Sequence, residues 1–575
     1  MPRFDLTKTR SADGRRPARG TRRPGTLVAL AILMLAAGAV ATGAAARQPA
    51  TTAPASAGTD TAAPARPDRG PGVGDDVVET NRARNGEVFR DWPTPRAVIV
   101  FTGELDGYIE PCGCTGKENQ KGGLSRRRNF LAALHAAGWP VVAVDLGDQV
   151  SRFGRQTEIK FRSIVEGLAA MDYAAVGFGP KDLRLPAEEV VAAVSPVGDT
   201  PTPFLSANVA LLGFDSGLTP THRVVTAGGV SVGVTAVLGD GDLAGVSNDL
   251  IATAPAAESL VAATAALAKA GCDRQVLLSF APPEETKRLA ARYPQFDFVV
   301  TAGGAEEPAA EPEKLPLQGV DGKQPRQRYL LELGHKGMFA VVVGLFDDPA
   351  QPFRWQRVPL DARWGEAEDM IRLLGQYQAQ LETLGLTGLG LSPARHPTGR
   401  RFAGSAACAD CHAASFQVWS DSGHAKALTT LEEQSPRRDG DPECLSCHVV
   451  GWAPQKFQPF DGGFMGMKAT PHLAQQGCEN CHGPAAAHAA AERGEPRVPV
   501  AERDKLRSEL HLDVAMPQER QKVLANCLEC HDLDNSPKFD FDDYWPQVEH
   551  AEEPGAAEAA AEAIRAKSAA AKPGS

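Results

Sequence analysis

Between Cys408 and His531 the chain repeats one five-residue pattern four times, and any fold of this region has to satisfy it. The copies are Cys408, Cys411, His412; Cys444, Cys447, His448; Cys478, Cys481, His482; and Cys527, Cys530, His531. Cys-x-x-Cys-His is the attachment signature of c-type haem: two thiols form thioethers with the porphyrin vinyl groups, and the adjoining imidazole ligates the iron. One copy could equally begin a zinc ribbon or a thiol redox site. With 13 histidines in 575 residues, four chance repetitions are roughly a one-in-four-million event on composition.

Four porphyrins also change what the region needs from its own side chains, because each brings a large apolar face. Residues 401–550 fit that condition, being poor in amphipathic runs and rich in Ala, Gly, Pro and charge. Elsewhere the composition is ordinary. An apolar fraction of 43% supports normal cores, and the length fits three to four domains. Net charge is −11 without a long block of one sign, which excludes a nucleic-acid partner.

The N-terminus sets the compartment. Arg15, Arg16, Arg19, Arg22 and Arg23 precede an uncharged segment from Thr26 to Ala46 that ends in a small-residue run. This is a cleaved export signal or, given its length, a retained membrane anchor. Haem attachment outside the cytoplasm requires an unfolded exported chain, so the Arg22-Arg23 pair is not read as a twin-arginine signal. Residues 1–46 are therefore signal or anchor, and 47–95, rich in Ala, Pro, Thr and Gly, a flexible linker.

From 96 to 361, short β-branched runs alternate with amphipathic segments. Strands are expected at Ala97–Thr102, Val141–Asp145, Ala174–Gly177, Phe204–Val209, Val230–Val237, Gln275–Ser279, Phe298–Thr301, Tyr329–Leu333 and Phe339–Phe346. Helices are expected at Ser125–Ala137, Glu158–Met171, Ala256–Ala270 and Pro283–Tyr293. The pattern predicts an α/β sandwich with its ligand edge at the C-terminal ends of the strands.

Those ends carry a resemblance. Val98–Gly107, Gly122–Arg126, Val144–Asp148 and Tyr173–Leu183 together resemble the 5′-nucleotidase branch of the calcineurin-like metallophosphatases. The resemblance implies a two-metal hydrolase frame, but most of the ligands are replaced. Glu104 and Asp106 stand where Asp-x-His is expected, Asp148 is kept, and Pro180-Lys181-Asp182 replaces Asn-His-Glu. Phe280 replaces a lone histidine, and Ala302–Ala305 a final histidine pair. A two-metal clamp needs such imidazoles and carboxylates together, so a degenerate domain for docking or ligand sensing is expected, with a metal-dependent nucleotidase as the alternative. Cys112 and Cys114, on the loop after the first strand, are candidate redox or metal thiols, or a plain loop clip. Relatives of this fold carry a similar Pro-Cys-Gly-Cys element, which implies a repurposed site. Cys272 reads as a small buried side chain.

Residues 362–400 read as a connector helix and linker, 401–550 as the haem domain, and 551–575 as a disordered or helical tail. Between Arg401 and Val548 the histidines outside the motifs are His424, His472, His488 and His511, one for each iron's second axial position. That count favours largely bis-histidine, low-spin iron suited to electron transfer. His396, in the linker, reads as exposed. The order of motifs, with Val418–Ala427 after the first, Val449-Val450-Gly451 after the second and Gly483-Pro484 after the third, resembles the tetrahaem cytochrome c-554 family. The resemblance implies a mostly α-helical, haem-cored domain carrying four haem c groups. It assigns His424 and then His488 as distal ligands, leaves His472 and His511 open, and allows one five-coordinate iron.

The sequence thus describes a multidomain chain, a metallophosphatase-like α/β domain followed by a tetrahaem cytochrome domain. It is expected on the periplasmic or cell-envelope side, exchanging electrons with redox partner proteins or a quinol-linked donor. The alternative is a redox enzyme acting at an open haem or at Cys112/Cys114.

Overall fold

Two mixed β-sheets packed face to face build the first half of the chain in a computed structural model that describes residues 75–112, 117–196, 201–246, 248–319, 325–551 and 555–570. The expected signal or anchor, linker residues 47–74 and Cys114 lie outside the described residues. Among those described, no helix is long and apolar enough to cross a membrane.

The elements run α1 (Asp75–Asn85), β1 (Ala97–Thr102), α2 (Leu124–Ala136), β2 (Val141–Asp145), α3 (Arg155–Ala170), β3 (Ala175–Val176), α4 (Ala187–Val194), β4 (Val209–Leu211), β5 (His222–Ala227) and β6 (Val230–Leu238). Then come α5 (Asp240–Leu243), β7 (Ile251–Thr253), α6 (Ala256–Ala270), β8 (Arg274–Phe280), α7 (Pro283–Arg292), β9 (Phe298–Thr301), β10 (Glu313–Gln318), β11 (Arg326–Leu331), β12 (Phe339–Leu345), β13 (Phe353–Pro359) and α8 (Glu368–Gly388). One sheet has the order β13-β12-β1-β2-β3 and the other β10-β11-β9-β8-β6-β5. β1 pairs parallel with β2, Val98 opposite Val141, and antiparallel with β12. All six residues of β1 are buried, as a central strand covered on both faces requires. Phe101 of β1 meets Phe298 of β9 across the sandwich, ring centres 6.3 Å apart. On the outer face of the second sheet, Leu260 and Leu267 of α6 and Leu289 of α7 pack over Leu277 and Val299.

Two expectations change. The linker is not flexible throughout, because 75–85 form α1, docked by polar contacts that leave no apolar period in the sequence. Asn85 Nδ2 donates to Asp361 Oδ2 at 2.7 Å, and Arg363 Nη1 to the Gly86 carbonyl at 2.7 Å. The expected strand Phe204–Val209 shrinks to a single bridge between Phe204 and Val176, and β4 starts only at Val209. Side chains take over the ladder's role there: Ser206 Oγ accepts from the Val209 amide at 3.1 Å, and Asn208 Nδ2 donates to the Leu238 carbonyl at 2.8 Å.

The second half is mostly helical: α9 (Ala413–Asp421), α10 (Ala427–Glu432), α11 (Pro442–His448), α12 (Cys478–His482), α13 (Ala486–Arg493), α14 (Val500–Leu510), α15 (Pro517–Leu528), α16 (Phe541–Tyr544) and α17 (Ala556–Ala570). Its apolar cluster is small, gathered around Leu428, Leu445, Val450, Trp452 and Phe464 beside the second motif. The tail is helical where described: α17 lies on α13, with Arg565 Nη1 3.0 Å from Glu492 Oε2 and Ala561 buried.

Candidate functional site

Each haem motif is wound as a single helical turn. The His412 amide donates to the Cys408 carbonyl at 2.8 Å, and the His531 amide to the Cys527 carbonyl at 2.8 Å. Residues three and four apart share one face of a turn, so both thiols and the imidazole of a motif point the same way. The described motif cysteines are all free thiols. The Cys408 thiol touches Cys478 and the Cys447 thiol touches Cys530, while Asn526 Nδ2, beside the fourth motif, donates to the Asn480 carbonyl of the third at 2.9 Å.

Three of the motif imidazoles each face a second imidazole. Two rings on opposite sides of one iron, each held by a metal–nitrogen bond of about 2 Å, have centres about 6 Å apart. His412 and His488 lie 6.3 Å apart, His531 and His424 6.1 Å, and His482 and His550 5.8 Å. Burial holds His424, His482, His488 and His531 below the ordinary imidazole pKa, favouring the neutral form a metal needs. His488 Nδ1 is buried without a hydrogen-bond partner. His448 Nδ1 donates to the Ala427 carbonyl at 2.6 Å and His482 Nδ1 to the Leu510 carbonyl at 2.8 Å, which leaves Nε2 of each as the bare nitrogen. The spaced imidazole pairs, the free thiols and the meagre apolar core all fit haem.

The described ring pairs differ from the expected ligand set at two positions. His472 and His511 are exposed, and neither ring stacks on or abuts a motif histidine among the described ring contacts. In the third pair the ring facing His482 is that of His550, which lies two residues past Val548. No ring contact with another histidine is described for His448. Its motif lines a cavity of about 1640 Å³ together with Cys527, Cys530 and His531, and with Tyr108, Glu110, Arg152 and Lys160 of the α/β half. His396 is not fully exposed; it packs edge-on against Phe402 and Phe460, with ring centres 5.7 and 4.7 Å away.

At the edge of the α/β half, three acidic residues sit on strained backbone. Glu104, Asp106 and Asp148 have φ of 47°, 55° and 57°, left-handed conformations costing on the order of 1 kcal/mol each that cluster at functional sites. Gly179 is obligatory there, since a Cβ would lie 2.0 Å from Asp148 Oδ1. Lys181 Nζ sits 2.5 Å from Asp106 Oδ1 and 3.1 Å from Asp148 Oδ2. Buried Asp182 is taken up by backbone amides, Gln149 at 2.7 Å and Asp148 at 2.9 Å among them. Glu104 Oε2 pairs with His335 Nδ1 at 3.0 Å, a partner that no sequence motif signals. No group of three or more His, Cys, Asp or Glu able to hold a metal ion occurs among the described residues.

This same edge meets the haem domain. Lys336 Nζ lies 2.6 Å from Asp534 Oδ1, the Tyr108 hydroxyl donates to Asp534 Oδ2, and buried Cys112 Sγ lies 3.6 Å from Asp534 Oδ1. Arg438 forks onto Glu110 at 2.5 and 3.0 Å, Gln156 Nε2 donates to Asp441 Oδ1 at 2.7 Å, and Lys160 Nζ pairs with Glu443 at 2.7 Å. Of the two thiols singled out in this loop, Cys112 is thus placed beside the fourth haem motif, against a carboxylate three residues after His531.

Residues 407–483 match the family described as cytochrome c554 and c-prime. Over 96 residues the chain is 36% identical to cytochrome c-554 of Nitrosomonas europaea, covering 14% of this chain and 38% of that relative's length. Among solved structures, it is similar to a 5′-nucleotidase precursor from Thermus thermophilus, with a TM-score of 0.42 and 17% identity over 50% of this chain and 59% of that one. It is also similar to the NAD nucleotidase of Haemophilus influenzae, with a TM-score of 0.40 and 13% identity over 51% of this chain and 72% of that one.

Proposed function

We propose that the chain is an exported, membrane-tethered tetrahaem c-type cytochrome that passes electrons between a redox partner or quinol-linked donor and an acceptor on the periplasmic side. The observation that carries this reading is the arrangement of the motif histidines, three of which face a second imidazole across a gap the size of an iron and its bonds. When bound, each haem supplies a one-electron iron couple. The protein's part is to hold both thiols and the imidazole of each motif on one face, to favour the neutral form of His424, His448, His482, His488 and His531 by burial, and to fix the tautomers of His448 and His482 through carbonyl acceptors. Fully bis-histidine iron excludes small ligands and favours transfer over chemistry. A pyridine haemochrome assay on protein from a host competent in cytochrome maturation tests the reading: four covalent haems per chain are expected, and fewer defeat it.

A second reading follows from His448, for which no facing imidazole is described and whose motif lines the cavity between the halves. An iron held there by one imidazole is open to a small molecule, which would make the protein a redox enzyme at that site. Adding carbon monoxide to the reduced protein tests this directly. One haem in four should bind it, and an unchanged Soret band removes the enzyme reading while leaving electron transfer intact. The nucleotidase alternative is disfavoured because the Lys181 ammonium stands between the two carboxylates that divalent metals would need.

A further inference from the structure

Among the described residues, the hydrogen bonds and ion pairs joining the two halves fall on 438–443 and 534–538, and each segment borders a haem motif. Asp441 caps α11, accepting from the Glu443 amide at 2.9 Å, and sits three residues before Cys444. Its buried carboxylate also accepts from Gln156 of α3 at 2.7 Å and from Gln378 of α8 at 3.0 Å. Glu443, two residues on, is paired chiefly by Lys160 of α3 at 2.7 Å, with Arg152 Nη1 farther off at 4.0 Å. Asp534, three residues after His531, is paired by Lys336 at 2.6 Å. The motifs bordered in this way, the second and the fourth, are the two whose thiols Cys447 and Cys530 touch.

We propose that the phosphatase-like half is a clamp for that one haem pair, with Lys160 acting through Glu443 and Lys336 through Asp534 as positioning residues that set its reduction potentials. The proposal rests on the tetrahaem reading and goes beyond it, because it gives the degenerate domain a task that needs no ligand of its own. A carboxylate close to a haem favours the ferric state, and an ammonium paired with that carboxylate cancels most of its field. Both carboxylates are partly withdrawn from water, with side-chain exposures of 28% for Glu443 and 30% for Asp534, so solvent does not fully do the cancelling. Removing the two ammonium groups should therefore lower the potentials of the second and fourth haems. The haems of the first and third motifs, tied to each other through Cys408 and Cys478, should keep theirs.

The experiment is a spectroelectrochemical titration of the full-length, haem-loaded protein carrying Lys160→Met and Lys336→Met. Two of the four one-electron transitions should fall by at least a tenfold change in equilibrium constant, about 59 mV each. The Lys160→Arg and Lys336→Arg protein, which keeps both charges, should titrate like the parent. If all four transitions move together, or none does, or the arginine variants shift as far as the methionine ones, the clamp is overturned. A haemochrome count below four in the parent would instead remove the reading on which the clamp rests, so the two failures are distinguishable.

Discussion

Lys181 Nζ lies 2.5 Å from Asp106 Oδ1, so an ammonium of the chain itself holds this acidic edge together. The same nitrogen reaches Asp148 Oδ2 at 3.1 Å, so one ammonium pairs both carboxylates. Burial pushes the Asp148 carboxyl up to about 6, while the ammonium opposes that shift. Lys181→Met strands two carboxylates near each other and should cost about 1–3 kcal/mol, less than a fully buried pair because the lysine is one-third exposed. Urea unfolding of parent and variant measures the difference. A loss below about 0.5 kcal/mol would mean that solvent already screens the cluster.

The pair formed by His335 and Glu104 predicts a pH dependence. A side-chain hydrogen bond with Glu104 raises the His335 pKa above its ordinary value of 6.5. A group whose folded pKa is raised stabilises fully below its unfolded pKa, and that stability is lost as pH rises through the folded value. The pair should therefore hold the edge most firmly below pH 6.5 and loosen above it. Because His335 is 31% exposed, the effect is screened to about 0.5–1 kcal/mol. His335→Gln should flatten the stability profile from about pH 6 upward, and an unchanged slope there would count against the pair.

His550 and His482 make the sharpest prediction about ligation. Their rings stand 5.8 Å apart on either side of the third haem's expected iron position. His550→Ala should convert one haem in four from low to high spin, visible as a high-spin signal in electron paramagnetic resonance. His472→Ala and His511→Ala, at exposed positions, should leave the spectrum unchanged. A high-spin signal from either of these, with none from the His550 variant, would reverse the assignment.

What could be read in advance follows from how locally each feature is encoded. β1, β2 and β9 have the predicted limits because continuous β-branched runs bury both faces. β5, β10 and β13 carry no such signal because they are edge strands, and half-exposed residues such as Arg354 and Gln356 interrupt any apolar run. The four haem motifs are contiguous and needed no tertiary information. Their distal partners are not contiguous: His424 pairs with a motif more than a hundred residues away, and only the fold says that it faces His531 rather than the nearer His412. Contacts such as Lys336 with Asp534 join two halves that read as independent modules, and no pattern within either half announces them.

Glu479, inside the third motif, carries the last prediction. Its side chain is 3% exposed, and its carboxylate accepts from the amides of Ala403 at 2.9 Å, Gly404 at 2.7 Å and Ala485 at 2.7 Å. Ala403 and Gly404 lead into the first motif, so one carboxylate ties the approach to Cys408 to the turn that carries Cys478. Glu479→Ala leaves three amides without their acceptor in a space with little room for water, and should cost about 2–3 kcal/mol. Glu479→Gln keeps an acceptor and the shape, and should lose roughly half as much. The readout is the thermal loss of Soret circular dichroism in haem-loaded protein, which reports the packing of the pair directly. Equal melting of the alanine and glutamine variants would mean that the carboxylate's charge, rather than its acceptor geometry, holds the first and third motifs together.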